Sequence, residues 1–198
     1  SDGGLAPATT YTSRVRAINR GGPSASTSET ATTLPLPPAA PSRLQAVAVS
    51  QPRVDLQWTD TSDNETQFEI ERLQGLGEYQ LAAQVGAGVT TFTDNGLAAA
   101  TLYRYRVRAV NAGGASAYSA ETVATTLPFP PAAPGDLSVT AASATQLDLH
   151  WTDHSDNETA FEVELRQPDD SYQLTAVVAA NAVSVSITRL RGNSLRVY

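Results

Sequence analysis

The chain has 198 residues, with 41% hydrophobic and 7% aromatic side chains, enough to bury a real core in one or two domains. A net charge of −7, with no basic face in the pattern, sets aside nucleic-acid binding, which needs Lys and Arg against phosphates. The absence of Cys removes disulfides, zinc–thiolate centres and thiol nucleophiles together, and no run of about 18 apolar residues reads as a membrane-spanning helix.

In chain order the sequence repeats itself. RVRAIN at 14–19 returns as RVRAVN at 106–111, and TTLPLPPAAP at 32–41 returns as TTLPFPPAAP at 125–134. DLQWTDTSDNETQFEIE at 55–71 returns as DLHWTDHSDNETAFEVE at 148–164, with Trp58 and Trp151 in matching places. A period of about 90 residues is too long for a solenoid and is the size of one small domain. The chain therefore divides into five parts. Residues 1–34 are the C-terminal part of a repeat, 35–41 a Pro-rich linker, and 42–126 one complete repeat. Residues 127–134 are a second Pro-rich linker, and 135–198 are the N-terminal part of a third repeat.

Within the complete repeat the apolar residues alternate with period two. Val54, Leu56 and Trp58 share one face, and so do Phe68 and Ile70. Tyr103, Tyr105, Val107 and Ala109 point inward, leaving Arg104, Arg106 and Arg108 outward. Turn signals separate these runs at Ser62-Asp63-Asn64, Gly75-Leu76-Gly77, Asp94-Asn95-Gly96 and Ala112-Gly113-Gly114. No sustained helical period occurs. About seven short strands at this spacing predict an all-β sandwich.

The repeat resembles a fibronectin type III domain. The resemblance is carried by Trp58 in the second strand, by Phe68-Glu69-Ile70-Glu71-Arg72 in the third, and by Leu97 followed by Tyr103. Leu97 with Tyr103 looks like that family's tyrosine corner, and Leu5 with Tyr11 repeats it. The ending Tyr103, Arg106, Val107, Ala109, Asn111 is also typical of it. The resemblance implies tandem immunoglobulin-like β-sandwiches, one complete and two partial. It also makes the third and sixth strands neighbours, so Glu69 and Glu71 would form a cross-strand charge ladder with Arg104, Arg106 and Arg108. Such a ladder reads as solvated pairs setting register rather than as a ligand stripe. The third repeat departs from the pattern after Leu190, with no clear corner Tyr and with Leu195 and Val197 expected to face inward.

The linkers contain four prolines each and no Gly, so they read as semi-rigid polyproline spacers rather than docking motifs. Asp60, Asp63 and Glu65 recur as Asp153, Asp156 and Glu158 and are weak calcium candidates. Their spacing lacks the calcium-loop Gly and distal Glu, and Asp, Asn and Ser build turns by bonding their own backbone. His150 and His154 are replaced by Gln57 and Thr61 in the central repeat, so no shared chemistry depends on them. Asn64-Glu65-Thr66 and Asn157-Glu158-Thr159 match the glycosylation pattern, which matters only in a cell with that machinery. No catalytic residue, cofactor site or firm metal site is expected.

The expected role is therefore a non-catalytic structural segment of a secreted or surface-exposed bacterial protein, forming a stalk, fibre or filament. The alternative is a spacer, or a carbohydrate- or protein-binding accessory module, of a multidomain secreted hydrolase or adhesin. The expected partners are neighbouring repeats or further copies of the chain, with Arg14 and Arg16 meeting Glu162 and Glu164, or a polysaccharide or cell-surface partner. A glycan platform would have to use Tyr79, Tyr118 or Tyr172, the aromatics not assigned to a core.

Overall fold

The computed structural model describes residues 4–188. Every regular element in that span is a β-strand. The expectations for Leu190, Leu195 and Val197 fall outside the described residues. Two compact units emerge, Ser1–Leu127 and Pro128–Tyr198. The first linker lies inside the first of these units.

In the first unit, strands β1 (Thr10–Val15) and β4 (Thr27–Thr32) pair antiparallel. The short β2 (Ile18–Asn19) and β3 (Gly22–Pro23) pair at the turn between them. Thr10–Thr32 and Thr12–Thr30 join hydroxyls across this hairpin at 2.8 and 3.1 Å. The complete sandwich follows. One sheet contains β5 (Ser42–Ser50), β6 (Arg53–Thr59) and β9 (Thr91–Asn95) in the order β5-β6-β9. The other contains β7 (Gln67–Gln74), β8 (Gln80–Gly86), β10 (Leu102–Asn111), β11 (Gly114–Ala115) and β12 (Thr122–Thr125). Its order is β11-β10-β7-β8, with β12 also on β10.

The period-two pattern becomes the core directly. Successive Cβ atoms on a strand face opposite ways, so every second residue of β6, β7 and β10 meets the facing sheet. Val54, Leu56, Trp58, Phe68, Ile70, Tyr103, Tyr105, Val107 and Ala109 are all buried. Trp58 is 3% exposed and meets Phe68 edge to face, with ring centroids 5.7 Å apart. The tyrosine corner closes the end of the sandwich: Tyr103 Oη accepts a bond from Ala98 N at 2.9 Å, beside buried Leu97. Tyr11 Oη accepts from Ala6 N at the same 2.9 Å, but Leu5 is 49% exposed. No second sheet covers Leu5 among the described residues.

The second unit repeats the plan. β13 (Gly135–Ser143), β14 (Gln146–Thr152) and β17 (Ser184–Thr188) form one sheet, and β15 (Ala160–Arg166) and β16 (Tyr172–Ala179) the other. Leu149, Trp151, Val163 and Ile187 make its core. Local irregularities recur as faithfully as side chains. The β5–β6 register shifts between Ser42 and Gln45, and the β13–β14 register shifts between Gly135 and Ser138. Arg43 and Asp136 take the left-handed backbone at these bulges, with φ of 53° and 51°.

Removing the central ring should collapse the sandwich, whereas an exposed loop residue should be silent. Trp58→Ala is expected to cost about 3–5 kcal/mol in urea denaturation, and Leu76→Ala less than about 0.5 kcal/mol.

Candidate functional site

Three groupings of polar side chains stand out, and each is built by strand register or by a turn. The first lies on the outer face of β7 and β10. Their antiparallel register sets Arg106 opposite Glu71 and Arg108 opposite Glu69. Both are ion pairs at 2.7 Å with neighbouring Nε bonds at 2.8 and 2.7 Å, so each arginine grips its carboxylate with two nitrogens. Arg104 sits opposite Leu73, so the expected ladder has two rungs and Arg104 is not one of them.

Nor are these rungs plainly solvated. The Arg106 guanidinium lies between the Tyr79 and Tyr118 rings, 3.9 Å from each centroid. Tyr118 also donates its hydroxyl to Glu71 at 2.6 Å, leaving the Glu71 side chain 14% exposed. Burial pushes the Glu71 carboxyl up, but the Tyr118 hydroxyl and the Arg106 guanidinium outweigh it and hold it below its ordinary value. Tyr79 and Tyr118 were two of three aromatics free to stack on a sugar; in the structure each turns a ring face to Arg106 instead. Tyr172 remains outside any such stack, 64% exposed.

The second grouping is inside the sandwich. Asp94 is buried at the end of β9, where the alternation of that strand turns it inward. Arg72 Nη1 reaches both its oxygens at 2.8 and 2.9 Å, and Tyr105 Oη donates to it at 2.9 Å. Burial first, then the Asp94 charge, drives the Tyr105 phenol far above its ordinary value, so it stays a donor. In the sequence Asp94 reads as a turn residue with Asn95 and Gly96. The available signal was phase: Phe92 and Asp94 are two apart, so they share the inward side.

The third grouping is the recurring Ser-Asp-Asn-Glu loop. Asp60 Oδ1 accepts from Ser62 N at 3.0 Å, and Asp153 Oδ1 from Ser155 N at 2.9 Å. Glu65 Oε1 accepts from Gly88 N at 3.2 Å, and Glu158 Oε1 from Asn181 N at 2.9 Å. The Asn181 amide is the first cause holding the Glu158 carboxyl below its ordinary value. Asp63 and Asp156 are exposed. The carboxylates considered for calcium are thus divided among turn amides and solvent, and no group of three or more metal-ligating side chains converges among the described residues. His150 and His154 are both exposed, and the His154 ring lies against Gly135.

The loop asparagines, which in the sequence read as turn formers and as a glycosylation pattern, reach the linkers. Asn64 Nδ2 donates to Leu36 O at 3.1 Å, and Asn157 Nδ2 donates to Phe129 O at 2.8 Å. Buried Asn111 adds a second bond to Leu36 O at 2.8 Å. Chemically these groupings hold strands, turns and linkers in place.

Residues 39–125 match the family model described as a fibronectin type III domain. Three curated relatives align. Exoglucanase B of Cellulomonas fimi is 36% identical over 126 residues, covering 61% of this chain and 11% of that protein. Alpha-amylase of Niallia circulans is 38% identical over 91 residues, covering 45% of this chain and 7% of that protein. Chitinase A1 of Niallia circulans is 31% identical over 129 residues, covering 61% of this chain and 18% of that protein. The chain therefore spans less than a fifth of each relative.

Two stability measurements test the polar groupings. Asp94→Ala strands Arg72 and Tyr105 and should cost about 3–5 kcal/mol. Glu71→Gln should cost about 1.5 kcal/mol at pH 7. Because the folded Glu71 carboxyl titrates below its ordinary 4.5, wild type holds this advantage above that pH and loses it on acidification. Denaturation midpoints of the two proteins should converge as the pH falls below 4.5.

Proposed function

Residues 39–125 belong to the fibronectin type III family, and on that basis we propose that this chain is a non-catalytic spacer, an accessory segment of a multidomain, secreted, carbohydrate-degrading enzyme. The observation that carries the reading is the shared segment itself. Three relatives named as carbohydrate-degrading enzymes share only this kind of segment, over 11%, 7% and 18% of their lengths. A module that accompanies different enzyme names in a small share of each chain is supported as their common accessory part. An extracellular setting follows from the same reading.

The side-chain chemistry supports it. Arg106, Arg108, Glu69 and Glu71 neutralise one another, and Tyr79 and Tyr118 stack on Arg106. The loop carboxylates hold turn amides. These groups are spent on the fold. A stalk or filament is the second reading and is supported by the tandem repeat. There, Arg14 and Arg16 of one copy would meet Glu162 and Glu164 of another in the Arg106–Glu71 manner.

An antibody raised against the 198-residue chain recovers the natural polypeptide that carries it. That polypeptide is expected to hydrolyse cellulose, starch or chitin, while the isolated chain is not retained on any of the three. A polypeptide of repeats alone, forming filaments under the electron microscope, would sink the spacer reading. So would retention of the isolated chain that is lost in Tyr172→Ala, which would make it a binding module.

A further inference from the structure

Each proline segment is held from both sides, with one residue between the holds. On the N-terminal side, Leu34 O accepts from Ala8 N at 3.1 Å, and Leu127 O accepts from Ala100 N at 3.1 Å. On the C-terminal side, Leu36 O is taken by Asn64 and Asn111, and Phe129 O by Asn157, as given above. Only Pro35 lies between the first pair of held carbonyls, and only Pro128 between the second. A proline ring already fixes φ near −65°. At Pro35 the remaining soft torsions are its own ψ and the Leu36 backbone, which the following Pro37 confines to extended angles.

The first segment is more than tethered. Leu36 O has two lone pairs, and two side-chain amides fill both. Asn111 is itself locked: its Nδ2 also donates to Asn64 O at 3.1 Å, and its Oδ1 accepts from Gly113 N at 2.7 Å. Thr61 Oγ1 donates to Ala40 O at 2.6 Å, and Pro38 and Pro41 are buried. Pro35 lies so close to Gly113 that a Cβ there would overlap its carbonyl oxygen and stand 2.8 Å from its carbonyl carbon. A glycine is required at this position by the approach of the linker.

We propose that Asn64, Asn111 and Gly113 form a clasp that makes the proline segment part of the domain it precedes, leaving a joint with a single unheld proline. Asn157 is the corresponding clasp residue of the third repeat. The Ser-Asp-Asn-Glu loop thereby has a purpose that its acidic residues do not reveal: its asparagine presents an amide to the incoming chain. The clasp deepens the spacer reading, because a spacer stiff at its joints sets a distance where a slack one sets only an upper limit. It rests on that reading for its purpose alone.

Nitrogen-15 relaxation of the full 198-residue chain tests it. In wild type the Leu36 and Phe129 amides should be as ordered as the strands, with order parameters of about 0.85. Gly113→Ala should drop Leu36, Ala39 and Ala40 below about 0.6 while β6, β7 and Phe129 keep their order. Asn64→Asp keeps the oxygen that serves the turn and loses the donor, so it should loosen Leu36 without touching the core. Asn157→Asp should loosen Phe129 alone. Mobile Leu36 and Phe129 in wild type would overturn the clasp. Unchanged order in both asparagine variants would overturn it as well, including where Gly113→Ala disturbs the whole domain. Either failure leaves the spacer reading standing, which the polysaccharide experiments decide separately.

Discussion

The pairing of β10 with β7 is the seam on which the sandwich depends. Strand β10 is ten residues long, and its alternate positions do opposite work. Tyr103, Tyr105, Val107 and Ala109 fill the interior, while Arg106 and Arg108 face Glu71 and Glu69. A slip of one residue would put arginines into the core and tyrosines into water. Hydrophobic burial selects the face, and the two ion pairs select the register on that face. Because the pairs are half covered by Tyr79 and Tyr118, they discriminate between registers better than free surface pairs would.

The same strand governs the interior polar group. Tyr105 comes in from β10, Arg72 from β7 and Asp94 from β9, so the network ties the two sheets together across the core. A buried pair of this kind gains less than its Coulomb attraction because both charges lose their hydration. Its contribution lies in geometry. A carboxylate that must meet one guanidinium and one phenol admits a single placement of β9 against β7 and β10.

At the far end of β10, Asn111 carries this order into the linker. Proline segments are often pictured as stiff because of their own backbone. Here part of the stiffness is borrowed: Leu36 O is bonded by one side chain from a loop of the following domain and one from the end of its β10. The first linker accordingly lies within one compact unit. The arrangement also explains Gly113, since the turn must let Pro35 lie against it, whereas Gly114 serves its own backbone angle, φ 134°.

Sequence alone determined the repeat, the strand faces and the core, because each is a one-dimensional pattern. Period-two alternation places Trp58, Phe68 and Tyr105 inward whatever the details of pairing. The two rungs at Glu69 and Glu71 were legible once β7 and β10 were taken as neighbours, but the third was not: Arg104 meets Leu73, which only register reveals. Tyr79 and Tyr118 were unreadable for a different reason. They come from outside the paired segments of β7 and β10, and their approach to Arg106 depends on how loops fold back over a sheet. Asp94 looked like a turn residue because Asn95-Gly96 follows it, and tertiary structure made it the buried partner of Arg72. The loop asparagines likewise looked like turn formers, and they are; their free amides found the linkers only in three dimensions. Local pattern sets which way a side chain points, and the fold decides what it meets there.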